Sequence, residues 1–148
     1  MKSSPGWEAS YLGQLRAAVG NRMLITPGAS AVIQDDNGQI LLIQRSDNLE
    51  WAIPGGSMEL GYSVYDTLVR EVREETGLSI SVAGLVGLYS ESGSPIVLVA
   101  YAAIYLEGDL FRDPAEVQET AFFPVASPPP LAFPRDRRII QDWQGHGP

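Results

Sequence analysis

The 148 residues of this chain fit one compact domain, and a hydrophobic share of 45% can supply its core. A formal net charge of −8 and an isoelectric point near 4.5 argue against a surface that binds nucleic acids or anionic membranes, since both need basic side chains. An acidic protein can still bind phosphates when divalent cations lie between the charges. We therefore expect one globular domain over residues 1–148, with no nucleic-acid partner and no membrane partner.

Cysteine is absent from the chain, which excludes disulfides, a thiolate zinc site and a thiol nucleophile. The first ten residues lack the apolar stretch of a secretory signal. The longest apolar run, residues 96–106, is far shorter than the roughly 20 residues that a membrane-spanning helix needs. These features predict a cytoplasmic protein. The one histidine, His146, lies near the C-terminus and is not expected to act in catalysis.

The first predicted element is a short amphipathic helix at about residues 7–19, with Leu12, Leu15 and Val19 at helical spacing. It could pack on a second copy, which makes a homodimer possible, or it could cover the core of its own chain. The core of the domain, about residues 27–143, begins with predicted strands at 29–34 and 39–44. An Asp-Asp-Asn-Gly sequence typical of a hairpin joins them. Residues 52–56 then predict a turn, because a proline precedes two glycines.

A helix is predicted over residues 63–76, with Ser63 and Asp66 spaced as in a capping box and Gly77 suited to its end. Its apolar face is predicted to consist of residues at helical spacing: Val64, Tyr65, Leu68, Val69 and Val72. Further strands are predicted at 78–89, 95–105 and 121–125, and a final helix at 135–143.

Three glutamates near the end of the predicted helix form the main candidate site. Because a helix turns about 100° per residue, Glu71, Glu74 and Glu75 share one edge. Hard divalent cations bound by oxygen relieve the repulsion between such close carboxylates. A solvated acidic face paired with Arg70 and Arg73 is the ordinary alternative. Two glutamates at a helix C-terminus oppose its dipole, however, and that cost favours a metal site.

Residues 55–78 closely resemble the Nudix box, written G-x5-E-x7-R-E-U-x-E-E-x-G-U with U aliphatic. The matching residues are Gly56, Arg70, Glu71, Val72, Glu74, Glu75, Gly77 and Leu78. Arg45, Trp51 and Glu59 also resemble family features. The departure is Tyr62, which stands where the box has its first glutamate. This exchange removes a carboxylate and a partner of Arg70. Glu59 is the candidate to replace that carboxylate.

The resemblance covers roughly residues 29–125 and implies the α/β/α sandwich of the Nudix fold, with a mixed sheet and a loop-helix-loop motif. It also implies hydrolysis of a diphosphate by a metal-activated water. The metal would be Mg²⁺, with Mn²⁺ as a possible substitute. Its implied ligands are Glu71 and Glu75, joined by Glu74 and the Gly55 carbonyl, while Arg70 would orient a glutamate.

Family members often add a carboxylate from a distant loop, and Glu116 is the first candidate for it here, followed by Glu119. Arg45, Trp51, Glu59 and Tyr62 are the candidate substrate-binding residues. Arg45 could contact phosphate or pair with Asp47, and the aromatic rings could stack on a base or simply pack in the core. The sequence does not separate a nucleotide sugar, a dinucleotide and a nucleoside triphosphate as substrate.

Three functions are compatible with these residues. The leading hypothesis is an active Nudix pyrophosphohydrolase that acts on a small nucleotide. The second is a Nudix domain that has lost activity and binds a nucleotide as a sensor or interaction module, which Tyr62 would permit. The third is a structural metal-binding protein. Calcium would favour a loop of alternating acidic residues, whereas these glutamates lie on a helix.

Overall fold

The computed structural model describes residues 6–110 and 117–145. A 3-10 turn at Trp7–Ala9 leads into helix α1 (Tyr11–Val19). The remaining elements follow in chain order: β1 (Thr26–Gln34), β2 (Ile40–Arg45), β3 (Trp51–Ala52), β4 (Gly55–Ser57), α2 (Val64–Thr76), β5 (Ser79–Ser90), β6 (Ile96–Glu107), β7 (Val117–Phe123) and α3 (Pro134–Gly145).

The strands form one mixed sheet in the order β3-β2-β1-β6-β5. Strand β1 runs parallel to β6 from Thr26 to Gln34, and β5 is antiparallel to β6. Two further strands join this sheet outside the main order, because β7 pairs with β2 and β4 pairs with β1. The short β4 pairing holds the glycine-rich loop against the central strand.

Alternating side chains of the central strands pack on opposite faces of the sheet. Val32 and Leu42 belong to a core cluster that includes Ile139 and Ile140 of α3. Their neighbours Ile33 and Leu41 point to the other face, in a cluster that includes Leu68 and Val72 of α2. Alternation of this kind is what a sheet covered on both faces requires. The expected α/β/α sandwich with a mixed sheet is therefore confirmed.

Local signals in the sequence predict α2 well. Ser63 Oγ accepts a hydrogen bond from the Asp66 N–H at 3.0 Å, and the Asp66 carboxylate in turn accepts the Ser63 N–H, so the capping box is present. Gly77 ends the helix in the left-handed conformation, with φ 80°. The inclusion of Tyr65 in the apolar face was wrong, since this side chain is 49% exposed. It lies about 100° around the helix from Val64, beyond the buried stripe.

Two other predictions need correction. Residues 52–56 were expected to form only a turn, but Ala52 ends β3 and Gly55 begins β4. The strand predicted at 121–125 is β7, which is displaced toward the N-terminus and ends at Phe123. In both cases distant partners on β1 and β2 extend the pairing, which a local pattern of glycine and proline cannot reveal.

Helix α1 lies against a loop of its own chain. Both carboxylate oxygens of Glu59 accept the Tyr11 N–H, at 2.9 and 3.0 Å, and Leu12 and Leu15 face the same loop near Met58. Of the two roles left open for this helix, the structure shows contact with its own chain, and a homodimer stays a prediction. Within residues 6–110 and 117–145, no helix is long and apolar enough to cross a membrane.

Candidate active site

Glu71 lies against the backbone of β4, and a glycine makes this contact possible. A Cβ atom added to Gly56 would lie 2.5 Å from Glu71 Cδ and 2.7 Å from its Oε2. Gly55 is equally confined, because an added Cβ would lie 2.2 Å from the Ala29 carbonyl oxygen. The two glycines therefore allow β4 to fit between β1 and α2, which brings the Glu71 carboxylate onto the loop.

Glu75 lies one turn further along α2 and reaches the same strand. Its Oε1 accepts the Gly55 N–H at 2.9 Å, and only 7% of the residue is exposed. Glu75 therefore does not belong to a solvated acidic face, because β4 covers it. A carboxylate held by a backbone N–H is fixed in place, and burial strengthens its interaction with any cation that enters.

Arg70 is buried beside Glu71, with 1% of the residue exposed. Its Nη2 donates to Glu71 Oε1 at 3.1 Å, and the Tyr62 ring lies under the guanidinium, 4.4 Å from Cζ to the ring centroid. Nε and Nη1 have no hydrogen-bond partner among the described residues. Tyr62 thus does not simply remove a partner of Arg70, as the sequence suggested, because its ring provides a cation–π contact in place of an ion pair.

Two clefts open beside these glutamates. The outer cleft, about 420 Å³, is lined by Trp7, Ser10, Leu12, Glu59 and Glu71 together with Arg45, Gly55, Gly56, Ser57 and Glu75. The inner cleft, about 260 Å³, shares the last five and continues past other residues, among them Ser30, Phe133, Arg135 and Asp136. The two clefts therefore meet along β4, at Glu75.

Arg45 is the cationic side chain where the clefts meet. It forms a two-point ion pair with Asp47, with Nε to Oδ1 at 3.0 Å and Nη2 to Oδ2 at 2.6 Å. This pairing raises the pKa of Arg45 above its ordinary value, with smaller contributions from Glu75 and Asp136. Its guanidinium also lies 4.9 Å from the Phe133 ring centroid. Arg45 therefore stays charged, and Asp47 holds it beside the glycine strand.

Asp136 is a buried acid that the sequence analysis missed. Its Oδ2 accepts the Ile53 N–H at 3.1 Å, and 1% of the residue is exposed. Burial raises the pKa of Asp136 from the ordinary 3.8 to about 6, although Arg135 and the Ile53 N–H act in the opposite direction. The sequence signal that could have identified Asp136 is its position in the first turn of α3. The contact with Ile53, far away in sequence, was not predictable.

We expect Asp136→Asn to remove a pH dependence of stability. A raised pKa in the folded state makes folding most favourable when Asp136 is protonated, so its contribution is complete below pH 3.8 and is lost as the pH rises through about 6. The rise in pKa corresponds to about 3 kcal/mol. Asparagine can still accept the Ile53 N–H. The free energy of unfolding of the variant should therefore gain about 2 kcal/mol relative to the wild type between pH 4 and pH 7, because the rest of the change falls below pH 4.

Urea unfolding at pH 4, 5, 6 and 7 measures this difference. Asp109→Asn, which changes an exposed aspartate, is the matched control and should track the wild type at every pH. A constant difference between Asp136→Asn and wild type across the range would show that the Asp136 carboxyl does not titrate differently in the folded protein.

Not every candidate residue reaches the clefts. Glu74 is half-buried on α2 but is not among the residues that line either cleft, and Trp51 packs edge-on against Phe123 at 4.8 Å. Glu119 is exposed on β7, and its Oε1 accepts the Thr120 N–H. Glu116 lies outside the described residues. The structure thus brings together Gly55, Arg45, Glu59, Glu71 and Glu75, with Arg70 and Tyr62 behind them.

The donors available to a cation are carboxylate and backbone oxygens. Across residues 6–110 and 117–145, no group of three or more acidic or histidine side chains is close enough to hold a metal ion by itself. Glu71 and Glu75 suit a hard divalent cation of the Mg²⁺ type, which commonly uses one or two protein carboxylates and completes its shell with water and substrate phosphates. The donor set therefore fits a cation that is bound together with substrate.

Comparisons with known proteins identify the family of the chain. The NUDIX domain model matches residues 24–143. An ADP-ribose pyrophosphatase of Methanocaldococcus jannaschii is 33% identical over 131 residues, covering 82% of this chain and 76% of that protein. A putative 8-oxo-dGTP diphosphatase of Bacillus subtilis is 26% identical over 121 residues, covering 82% and 81%.

Solved structures show the same fold. The crystal structure of an ADP-ribose pyrophosphatase from Streptococcus suis has a TM-score of 0.70 and 25% identity, and the match covers 81% of this chain and 92% of that one. The chain therefore belongs to the Nudix family of pyrophosphohydrolases. Members of this family generally use divalent metals, which agrees with the all-oxygen donor set around Glu71 and Glu75.

Proposed function

We propose that this enzyme hydrolyses the diphosphate of a nucleoside diphosphate that is linked to a second moiety, with Mg²⁺ as the cofactor. The observation that carries the proposal is the meeting of two clefts at β4, where Glu75 lines both clefts and Glu71 lines the outer one. A substrate with a group at each end of a diphosphate would place one group in each cleft. Its diphosphate would then lie at their junction, beside the glutamates.

The junction suits a diphosphate for two reasons. Gly55 and Gly56 carry no side chain, so the phosphates can approach the backbone closely. Arg45 supplies a positive charge at the same place and is fixed by its two-point pair with Asp47. Because the chain has a net charge of −8, it attracts cations, and cations at this junction can bind the polyanionic substrate.

Glu71 and Glu75 are the proposed metal ligands, with the Gly55 carbonyl as a further donor. Glu74 lines neither cleft, so its proposed part is water-mediated. When bound, the metal would neutralise the diphosphate and lower the pKa of the attacking water. The chain's own residues position these groups. The Gly55 N–H holds Glu75, and Arg70 holds Glu71 from a buried position. Mn²⁺ has the same preference for oxygen ligands and is the expected substitute.

A base for the attacking water is proposed from the distant carboxylates. Glu116 is the first candidate, since it immediately precedes β7 in sequence, and Glu119 is the second. Glu119 is exposed, so a shift of its strand end toward the clefts would be needed for it to act. Changing each to glutamine separately, and measuring the pH profile of turnover, distinguishes the two. Loss of the acidic limb, where a base becomes protonated, is the expected result for the residue that accepts the proton.

The similarity to an ADP-ribose pyrophosphatase supports ADP-ribose as the first substrate to test. We propose a test panel of ADP-ribose, FAD, NADH, diadenosine polyphosphates and nucleoside triphosphates, each with Mg²⁺, with Mn²⁺ and with EDTA. The expected result is metal-dependent release of a nucleoside monophosphate from a diphosphate-linked substrate. Preference for nucleoside triphosphates would contradict the two-cleft assignment, because a triphosphate has only one terminal group.

A nucleotide-binding module without activity is the second candidate, and Tyr62 is the observation that favours it. The ring of this residue replaces a carboxylate next to Arg70. Binding of a nucleotide in the absence of turnover across the whole panel would support this candidate. We also propose that the protein acts in the cytoplasm.

A further inference from the structure

Trp7 presents a large aromatic surface to the outer cleft. Its side chain is 62% exposed, and it lines the cleft together with Glu71 and Glu75. Tryptophan is usually well buried, so an exposed ring on the wall of an active-site cleft is an unusual placement. It supplies a flat apolar surface on a wall whose other side chains, apart from Leu12, are polar or charged.

The turn that carries Trp7 is closely fixed. Ser10 Oγ donates to the Trp7 carbonyl at 2.6 Å and accepts the Gly13 N–H at 2.9 Å. Gly13 is needed there, because an added Cβ would lie 1.8 Å from the same carbonyl oxygen. Glu59, in the loop between β4 and α2, accepts the Tyr11 N–H and so attaches the whole segment to that loop.

We propose that Trp7 stacks on a nucleobase of the substrate and that the outer cleft is the base-binding subsite. This inference rests on the proposed function, since the diphosphate must lie beside Glu71 and Glu75 for a base to reach Trp7. Every nucleobase offers a flat face, and stacking on an aromatic side chain tolerates any of them. Trp7 therefore contributes affinity for nucleotides as a class, from a segment that precedes the residues matched by the family model.

The test compares two ligands that share a methylene-bridged diphosphate, one with an attached adenosine and one without. The first is α,β-methylene-ADP, which cannot be cleaved between its phosphates, and the second is methylenediphosphonate, which has no ring. Binding to the whole protein is measured by calorimetry with Mg²⁺. We expect Trp7→Ala to bind α,β-methylene-ADP about tenfold more weakly and methylenediphosphonate unchanged. Trp7→Phe retains a ring and should lose about threefold or less.

Two further variants separate stacking from general effects. Tyr65→Ala removes a similarly exposed aromatic side chain from α2 and is expected to bind both ligands as the wild type does. Gly13→Ala keeps the indole side chain but displaces the turn that positions it, so this variant should also bind the nucleotide analogue more weakly and methylenediphosphonate unchanged. Equal binding of α,β-methylene-ADP by Trp7→Ala and wild type would overturn the proposal, as would an equal loss for both ligands.

The outcomes also distinguish this inference from the proposed function. If the wild type hydrolyses the panel but Trp7→Ala binds the analogue normally, only the base-binding assignment fails. If the analogue binds through Trp7 and no substrate is hydrolysed, the catalytic proposal fails and the subsite stands. If the wild type binds neither ligand, both fail together.

Discussion

Glu75→Gln is expected to reduce metal-dependent turnover by on the order of 100-fold or more, because it removes a ligand charge at the junction of the two clefts. The fold should survive the change. Glutamine has a side-chain oxygen at the same position and can still accept the Gly55 N–H that Glu75 now accepts at 2.9 Å. Burial of Glu75 increases the effect, since a cation there depends on protein charge more than it would in water.

Initial rates over a range of Mg²⁺ concentrations, together with thermal unfolding, measure both parts of this expectation. Glu107→Gln is the matched control, because it makes the same chemical change at an exposed position at the end of β6. Wild-type turnover in Glu75→Gln would remove this residue from the metal site. A large loss of stability would instead show that its main role is to hold β4.

Gly56→Ala should produce a loss of similar size by a different route. The added Cβ would lie 2.5 Å from Glu71 Cδ, so the carboxylate or the strand must move. Displacement of a catalytic group by about 1 Å can cost about 100-fold in rate. We therefore expect turnover to fall by about that factor, and the Mg²⁺ concentration needed for half-maximal rate to rise, because Glu71 no longer lies in its place.

Gly84→Ala tests whether any new methyl group on a strand would have this effect. No atom lies within 4 Å of a Cβ added there, and the backbone needs no left-handed conformation. Its turnover and metal dependence should match those of the wild type. If Gly56→Ala also retains wild-type values, the close approach of Glu71 to β4 is not required for catalysis.

The helix that carries the glutamates could be predicted almost completely from sequence, because its signals are local. Ser63 and Gly77 mark its ends, and the buried stripe from Leu68 to Val72 recurs at helical spacing. The contacts that complete the candidate site are not local. Asp136 lies 83 residues from Ile53, and Glu59 lies 48 residues from Tyr11, so no periodicity or turn motif could predict either pair.

Tyr62 shows the same limit at a single position. The sequence identified it as a departure from the family motif, and the loss of a carboxylate follows directly from the residue type. Its actual contact, a ring 4.4 Å from the Arg70 guanidinium, depends on how the loop before α2 folds back. The residue type alone therefore predicted the missing carboxylate. The ring contact with Arg70 that compensates for it could be seen only in the three-dimensional structure.

The attachment of α1 to the loop between β4 and α2 has a consequence for how such enzymes can diverge. The match to the family begins at residue 24, whereas Trp7 and Tyr11 precede it. Substitutions in this leading segment leave the glutamate helix and the buried sheet untouched, so they carry little penalty for folding. Selection could therefore alter substrate preference through the leading segment while the hydrolytic machinery stays constant. A domain that began at residue 24 would lack the leading segment and, with it, one wall of the outer cleft.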